Sequence, residues 1–194
     1  RAAQVMEKGI DLAKRRMIVG IPYMDNETEG DVGFPIAMNF FTGLHTLEHL
    51  YVPQPGMEAR EHIDIEFVSY GGDLNMSLGI YDRLRTVSVP VHMYVYGPCQ
   101  SGGSLILQAA TQRYISRNTT LMLHYGFTGD EVTSDPRRLQ EAVRHHNDLM
   151  DTLVRIYLSR CNRTRLTEKR LRDDIMRIES YFDAETCVRL GLAD

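Results

Sequence analysis

Apolar residues recur along this chain in two rhythms, one of about 3.6 residues and one of two. Over residues 1–16, Val5, Met6, Ile10 and Ala13 fall on one side of a helical wheel, which predicts an amphipathic helix. The apolar run 17–21 predicts a short buried strand, and the polar stretch 25–33 a loop. A helix is predicted over 35–49, with Pro35 tolerated in its first turn. Two prolines and a glycine make 52–60 a loop, after which 63–68 alternates as a strand. Ser69-Tyr70-Gly71-Gly72 reads as a turn, and Leu74, Leu78, Tyr81 and Leu84 mark one face of the next helix. A strand at 91–96, a helix at 101–112 and strands at 114–116 and 119–123 continue the alternation. A long helix is predicted over 135–160, with Leu139, Val143, Met150, Leu153 and Tyr157 near one stripe. Two shorter helices close the chain at 167–177 and 184–190, the last bounded by Asp183 as N-cap and Gly191 as C-cap. Strands alternating with helices predict βαβ units and a mainly parallel sheet, hence the α/β class.

Composition narrows the picture. The 194 residues suit one domain, 1–194, with a sizeable core, and neither a linker nor a repeat interrupts them. A net charge of −4 gives no nucleic-acid footprint. Lys14-Arg15-Arg16 is read as a solvated helix end. Cys99, Cys161 and Cys187 are far apart, odd in number and without metal spacing, which fits a reducing, cytoplasmic compartment. No apolar run is long enough to span a bilayer, and no signal peptide is visible.

The chemistry gathers around Ser101. It lies in Gly97-Pro98-Cys99-Gln100-Ser101-Gly102-Gly103-Ser104, between a strand and a helix. Small neighbours let a substrate carbonyl reach the hydroxyl, and a helix start presents free N–H groups. A Gly/Ser turn opening a helix is also plain N-cap chemistry. Gly71-Gly72 ends a strand at the sheet edge where α/β sites form, and its backbone N–H groups could join that of Gly102 in an oxyanion hole. The bland reading of that pair is a tight turn. His124 ends the apolar run Leu121-Met122-Leu123 and can serve as general base to a serine. His45 and His49 lie one turn apart on a helix but lack the flanks of a metal motif; His62 and His92 have no visible partner. His145 and His146 sit on a long polar helix, where solvent or a subunit contact accounts for them. A carboxylate to orient His124 could be Asp173, Asp174, Glu179 or Asp183, and spacing does not choose among them.

With these residues in view, the chain from about residue 10 onward resembles the proteolytic subunits of the Clp protease, the ClpP family. Ile65-Glu66-Phe67-Val68-Ser69-Tyr70-Gly71-Gly72 resembles the family's strand ending in Asn-Ser-Pro-Gly-Gly. Gly79-Ile80-Tyr81-Asp82 resembles its helix bearing Ile-Tyr-Asp, Gly97 to Gly103 its Gly-Gln-Ala-Ala-Ser-Met-Gly, and Leu121-Met122-Leu123-His124 its Val-Met-Ile-His. The segment from Tyr181 onward resembles the family's ending. Departures are Tyr70 for the proline, Gly102 for the methionine, and Tyr125-Gly126 for the Gln-Pro after the histidine.

The resemblance implies a ClpP/crotonase-like spiral of ββα units with a mainly parallel sheet and a long handle helix. It implies a serine endopeptidase with Ser101 as nucleophile, His124 as base, and Gly72 and Gly102 as oxyanion donors. Glu179 falls two residues before Tyr181-Phe182, where the family has its aspartate. No metal or organic cofactor is implied. Unfolded polypeptides are the implied substrates, an AAA+ unfoldase the ATP-consuming partner, and stacked heptameric rings the assembly, joined through helix 135–160. Two readings from other classes are a non-catalytic ring or shell subunit, against which Ser101 and His124 argue, and a crotonase-type acyl-CoA enzyme, which has no need of Ser101. A Ser-Lys peptidase lacks its lysine, since none lies between Lys14 and Lys169.

Overall fold

The computed structural model describes residues 9–20, 31–53, 55–56, 58–126 and 135–194. Seven strands form the main sheet: β1 (Ile10–Asp11), β2 (Arg16–Val19), β4 (Ile63–Ser69), β6 (Val91–Gln100), β7 (Gln112–Ile115), β8 (Thr120–Leu123) and β9 (Ser180–Phe182). Their order is β1-β2-β4-β6-β8-β9, with β7 beside the first half of β6. β2, β4, β6, β7 and β8 pair in parallel, as predicted, while β1 and β9 join antiparallel at the edges. A second, two-stranded sheet pairs β3 (Asp31–Val32) with β5 (Gly71–Gly72).

The first segment departs from the predicted helix. Residues 1–8 lie outside the described residues, and 9–19 fold as β1, a 3₁₀ turn (Leu12–Lys14) and β2. Arg15 takes φ 49°, a left-handed conformation that ends the turn and reverses the chain so that Ile10 faces Met17. Arg15 is not solvated either. It is buried, with Nε donating to the Leu47 carbonyl at 3.1 Å and Nη1 to the Arg60 carbonyl at 2.8 Å. Arg16 pairs with Glu66 across the sheet at 2.8 Å. Of the predicted loop at 25–33, residues 25–30 lie outside the described residues, and Asp31–Val32 is a strand.

The helices follow their apolar periodicity. In α1 (Phe34–His49), Ala37, Phe40, Leu44 and Leu47 form a fully buried stripe with helical spacing. α2 (Leu74–Arg85) starts at Asp73, whose Oδ1 accepts from the Met76 N–H at 2.8 Å, and buries Ser77, Ile80 and Leu84. The predicted 101–112 helix is shorter: α3 spans Gly102–Leu107, and i→i+3 bonds at Gln108, Ala109 and Ala110 tighten the chain before β7. α4 (Pro136–Arg160) is about 37 Å long at 1.5 Å per residue. Its second half buries Met150, Leu153, Val154 and Tyr157, while Leu139 and Val143 of the first half are each 51% exposed. α5 (Glu168–Arg170) continues as a π-helical turn over Leu171–Met176. β9 follows, a strand that the sequence did not predict, and α6 (Ala184–Leu190) closes between Asp183 and Gly191 as predicted.

Buried apolar residues from α1, α2, α3, the second half of α4 and the sheet form one cluster. Among the described residues, no helix is long and apolar enough to cross a membrane.

Candidate active site

β6 sets the site. Its first half pairs with β7 and its second half with β8, so its C-terminal end projects beside the end of β8. Ser101 follows β6 and opens α3 with φ 49° and ψ −124°. Its N–H donates to the Met122 carbonyl of β8 at 2.9 Å. His124 stands two residues further along that strand's end, so one backbone bond fixes the serine relative to the histidine. Ser101 Oγ and His124 Nε2 are 2.7 Å apart. With the imidazole proton on Nδ1, Nε2 accepts from the hydroxyl, the arrangement a general base requires. Burial holds the His124 pKa below its usual value, against the upward pull of the Glu179 carboxylate, which favours the neutral base at neutral pH.

Glu179 Oε1 lies 4.0 Å from His124 Nδ1, within ion-pair range but too far for a direct hydrogen bond. The carboxylate is half-exposed, and its Oε2 accepts from the Tyr181 hydroxyl at 3.1 Å. The other acidic residues considered have local roles. Asp183 caps α6 through the Thr186 N–H at 2.8 Å, and Asp173 pairs with Lys169 at 2.6 Å. Asp174 lies within the π-helical turn.

The glycines allow close approach. Gly71 has φ 107°, and a Cβ there would stand 2.6 Å from Ser101 Cβ and 2.9 Å from the Gln100 carbonyl. Gly72 has φ 136°. A Cβ on Gly102 would run into the Ser77 hydroxyl and lie 3.7 Å from the Gly72 nitrogen. The two backbone N–H groups proposed for an oxyanion therefore lie on neighbouring segments.

Two residues that sequence reasoning missed support the turn. Ser104 Oγ donates to the Ser101 carbonyl at 2.7 Å and meets the Tyr157 hydroxyl at 2.7 Å. Tyr157 is buried, and that burial pushes its phenol well above the usual range. The serine was in the motif and the tyrosine on the α4 stripe, but only tertiary folding brings them together. A cavity of about 430 Å³ opens in front of Ser101, with Gly72, Gly102, His124, His146 and Tyr157 among its lining. His146, expected in solvent or at a subunit contact, thus faces this cavity. His145 lines it as well.

A family profile described as "Clp protease" matches residues 44–194. The "ATP-dependent Clp protease proteolytic subunit" of Deinococcus radiodurans is 31% identical over 126 residues, which span 64% of this chain and 59% of that protein. "ATP-dependent Clp protease proteolytic subunit 2" of Tropheryma whipplei is 27% identical over 139 residues, 71% of this chain and 74% of the relative. Among solved structures, a point mutant of ClpP1 from Listeria monocytogenes superposes with a TM-score of 0.73 at 16% identity, covering 94% of this chain and 90% of its own. The likeness extends to the parallel sheet and the long handle helix.

Proposed function

This chain belongs to the Clp protease family, and from that premise we propose that it is a serine endopeptidase subunit whose nucleophile is Ser101. The observation that carries the proposal is the 2.7 Å contact between Ser101 Oγ and His124 Nε2 beside the cavity. In the reaction, His124 takes the hydroxyl proton as Oγ attacks the peptide carbonyl carbon. The N–H groups of Gly72 and Gly102 stabilise the oxyanion of the tetrahedral intermediate. His124 then gives its proton to the leaving amine, and the C–N bond breaks to leave an acyl-Ser101 ester. Water, deprotonated by the same imidazole, attacks the ester and returns Ser101. Glu179 favours the imidazolium formed in each half-reaction. This cycle requires no cofactor.

The family reading extends to assembly. We take residues 1–194 as one folded unit that stacks as heptameric rings in the cytoplasm, encloses the serines in a chamber and receives unfolded polypeptides from an AAA+ unfoldase. The first half of α4, with Leu139 and Val143 half-exposed, supports a contact between subunits.

The direct test is labelling with a fluorophosphonate followed by peptide mapping. Modification of Ser101, together with loss of both labelling and peptide hydrolysis in Ser101→Ala, is the expected result. Hydrolysis retained by a carefully purified Ser101→Ala protein would sink the assignment.

A further inference from the structure

At the far end of β6 from Ser101, three potential metal ligands meet on one face of the sheet. Asp64 of β4 and His92 of β6 are direct partners across the parallel pair. His62 lies in the bend just before β4, with its Nε2 3.2 Å from the Asp64 carboxylate. His92 is nine residues before Ser101, on the order of 25–30 Å along the strand. The rings of His62 and His92 stack with centroids 4.0 Å apart and planes 21° apart, so the two histidines that seemed to lack partners face each other. One donor atom from each of the three residues lies within 4.8 Å of the others.

Asp64 supplies the second, independent observation. Its residue is 4% exposed, and its Oδ1 is buried with no hydrogen-bond partner. His62 Nε2 is nonetheless only 3.2 Å from that oxygen. The pair does not meet hydrogen-bond geometry, so a nitrogen and an oxygen border the same small space. In a tetrahedral zinc site with ligand bonds near 2.0–2.1 Å, neighbouring donors stand about 3.3 Å apart. The Oδ2 of Asp64 accepts from Arg60 Nη1 at 2.9 Å, which fixes the carboxylate and leaves Oδ1 as the outward acceptor. His62 is partly exposed, so an ion has a path in.

We propose that His62, Asp64 and His92 form a binding site for one divalent transition-metal ion of the zinc class, distinct from the Ser101 site. Two imidazoles and one carboxylate match the borderline-soft preference of zinc, and three protein ligands leave a fourth position for water. The strand pairing supplies the rigidity: Asp64 and His92 are held by sheet hydrogen bonds rather than by a loop.

The rival for the gap is a proton, which would turn His62 and Asp64 into an ordinary ion pair. The test uses the full chain, stripped with a chelator and desalted, then titrated with Co²⁺ as a spectroscopic stand-in for zinc. The expected result is saturation at one Co²⁺ per chain with the strong visible bands of tetrahedral cobalt, bleached by added Zn²⁺. His62→Gln and His92→Gln should each weaken binding at least about tenfold, whereas His45→Gln/His49→Gln should leave it unchanged. His62 is partly exposed, so its replacement leaves the fold intact, and circular dichroism checks this. Absence of a saturable band, saturation well below one ion per chain, or an unchanged band in the His62→Gln/His92→Gln protein would overturn the proposal.

Discussion

Ser101 and His124 make a short contact in a partly buried pocket, and the chemistry of that pocket should be read out by pH. Burial lowers the His124 pKa, with the Glu179 carboxylate pulling the other way. In the proposed mechanism His124 works only when neutral, so kcat/KM is expected to rise with pH through a limb centred below the ordinary histidine value of about 6.5. Glu179→Gln removes the upward pull, so the limb should move to still lower pH while turnover falls. The expected loss is about ten- to a hundredfold, less than the ~10⁴ seen when a buried, directly bonded aspartate is neutralised, because this carboxylate is half-exposed and 4.0 Å away. A pH–rate profile of both proteins checks this; an unchanged limb and wild-type turnover in Glu179→Gln would remove Glu179 from the site. Ser101 and His124 could be singled out as candidates in the sequence because their signals are local, a serine among glycines after a strand and a histidine at a strand end. Glu179 was legible only through its family position. The Ser104–Tyr157 contact was not legible, since it joins residues 53 apart in sequence.

At the scale of elements, Glu48 ties α1 to α2. It accepts from Arg83 Nη2 and from the Ser88 N–H, each at 2.7 Å. Burial by itself would raise its pKa, but these bonds hold it at about 2 against an ordinary 4.5. A carboxyl depressed by folding contributes stability that is complete above the unfolded value and is lost as pH falls toward the folded one. Glu48→Gln is therefore expected to destabilise the protein at pH 7 by about 1–3 kcal/mol. The difference from wild type should vanish between pH 4.5 and about 2. Urea unfolding of both proteins across that range measures it, and a difference independent of pH would refute the account. Periodicity and caps made α1, α2, α4 and α6 readable. The segment 9–19 was misread because helical spacing of Ile10 and Ala13 says nothing of the left-handed turn at Arg15 or of the strand-pairing partner at Met17. β9 is three residues long, too short to show a period, and exists because β8 offers it an edge.

For the whole molecule, the parallel α/β layout was readable from the alternation of elements, whereas the split pairing of β6 between β7 and β8 depends on tertiary register alone. The assembly reading predicts a large species in sedimentation at micromolar concentration. Leu139→Glu/Val143→Glu, which charges the exposed half of α4, should yield smaller particles of unchanged secondary structure. A wild-type protein that sediments only as a single chain would contradict the ring. The backbone of Ser101 carries a last consequence. A non-glycine residue held at φ 49°, ψ −124° costs on the order of 1–3 kcal/mol. That strain is subtracted from the folding stability of the entire chain, so the wild-type molecule is less heat-resistant than one with a relaxed residue at this turn could be. Ser101→Ala retains the strain and Ser101→Gly releases it, while both remove the hydroxyl. Allowing for the extra freedom glycine gives the unfolded chain, the glycine protein should be more stable by about 1 kcal/mol and melt roughly 2–4 °C higher than the alanine protein. Scanning calorimetry of the two variants would measure how much thermostability the fold forgoes to hold the proposed nucleophile in place; equal melting points would mean that it forgoes none.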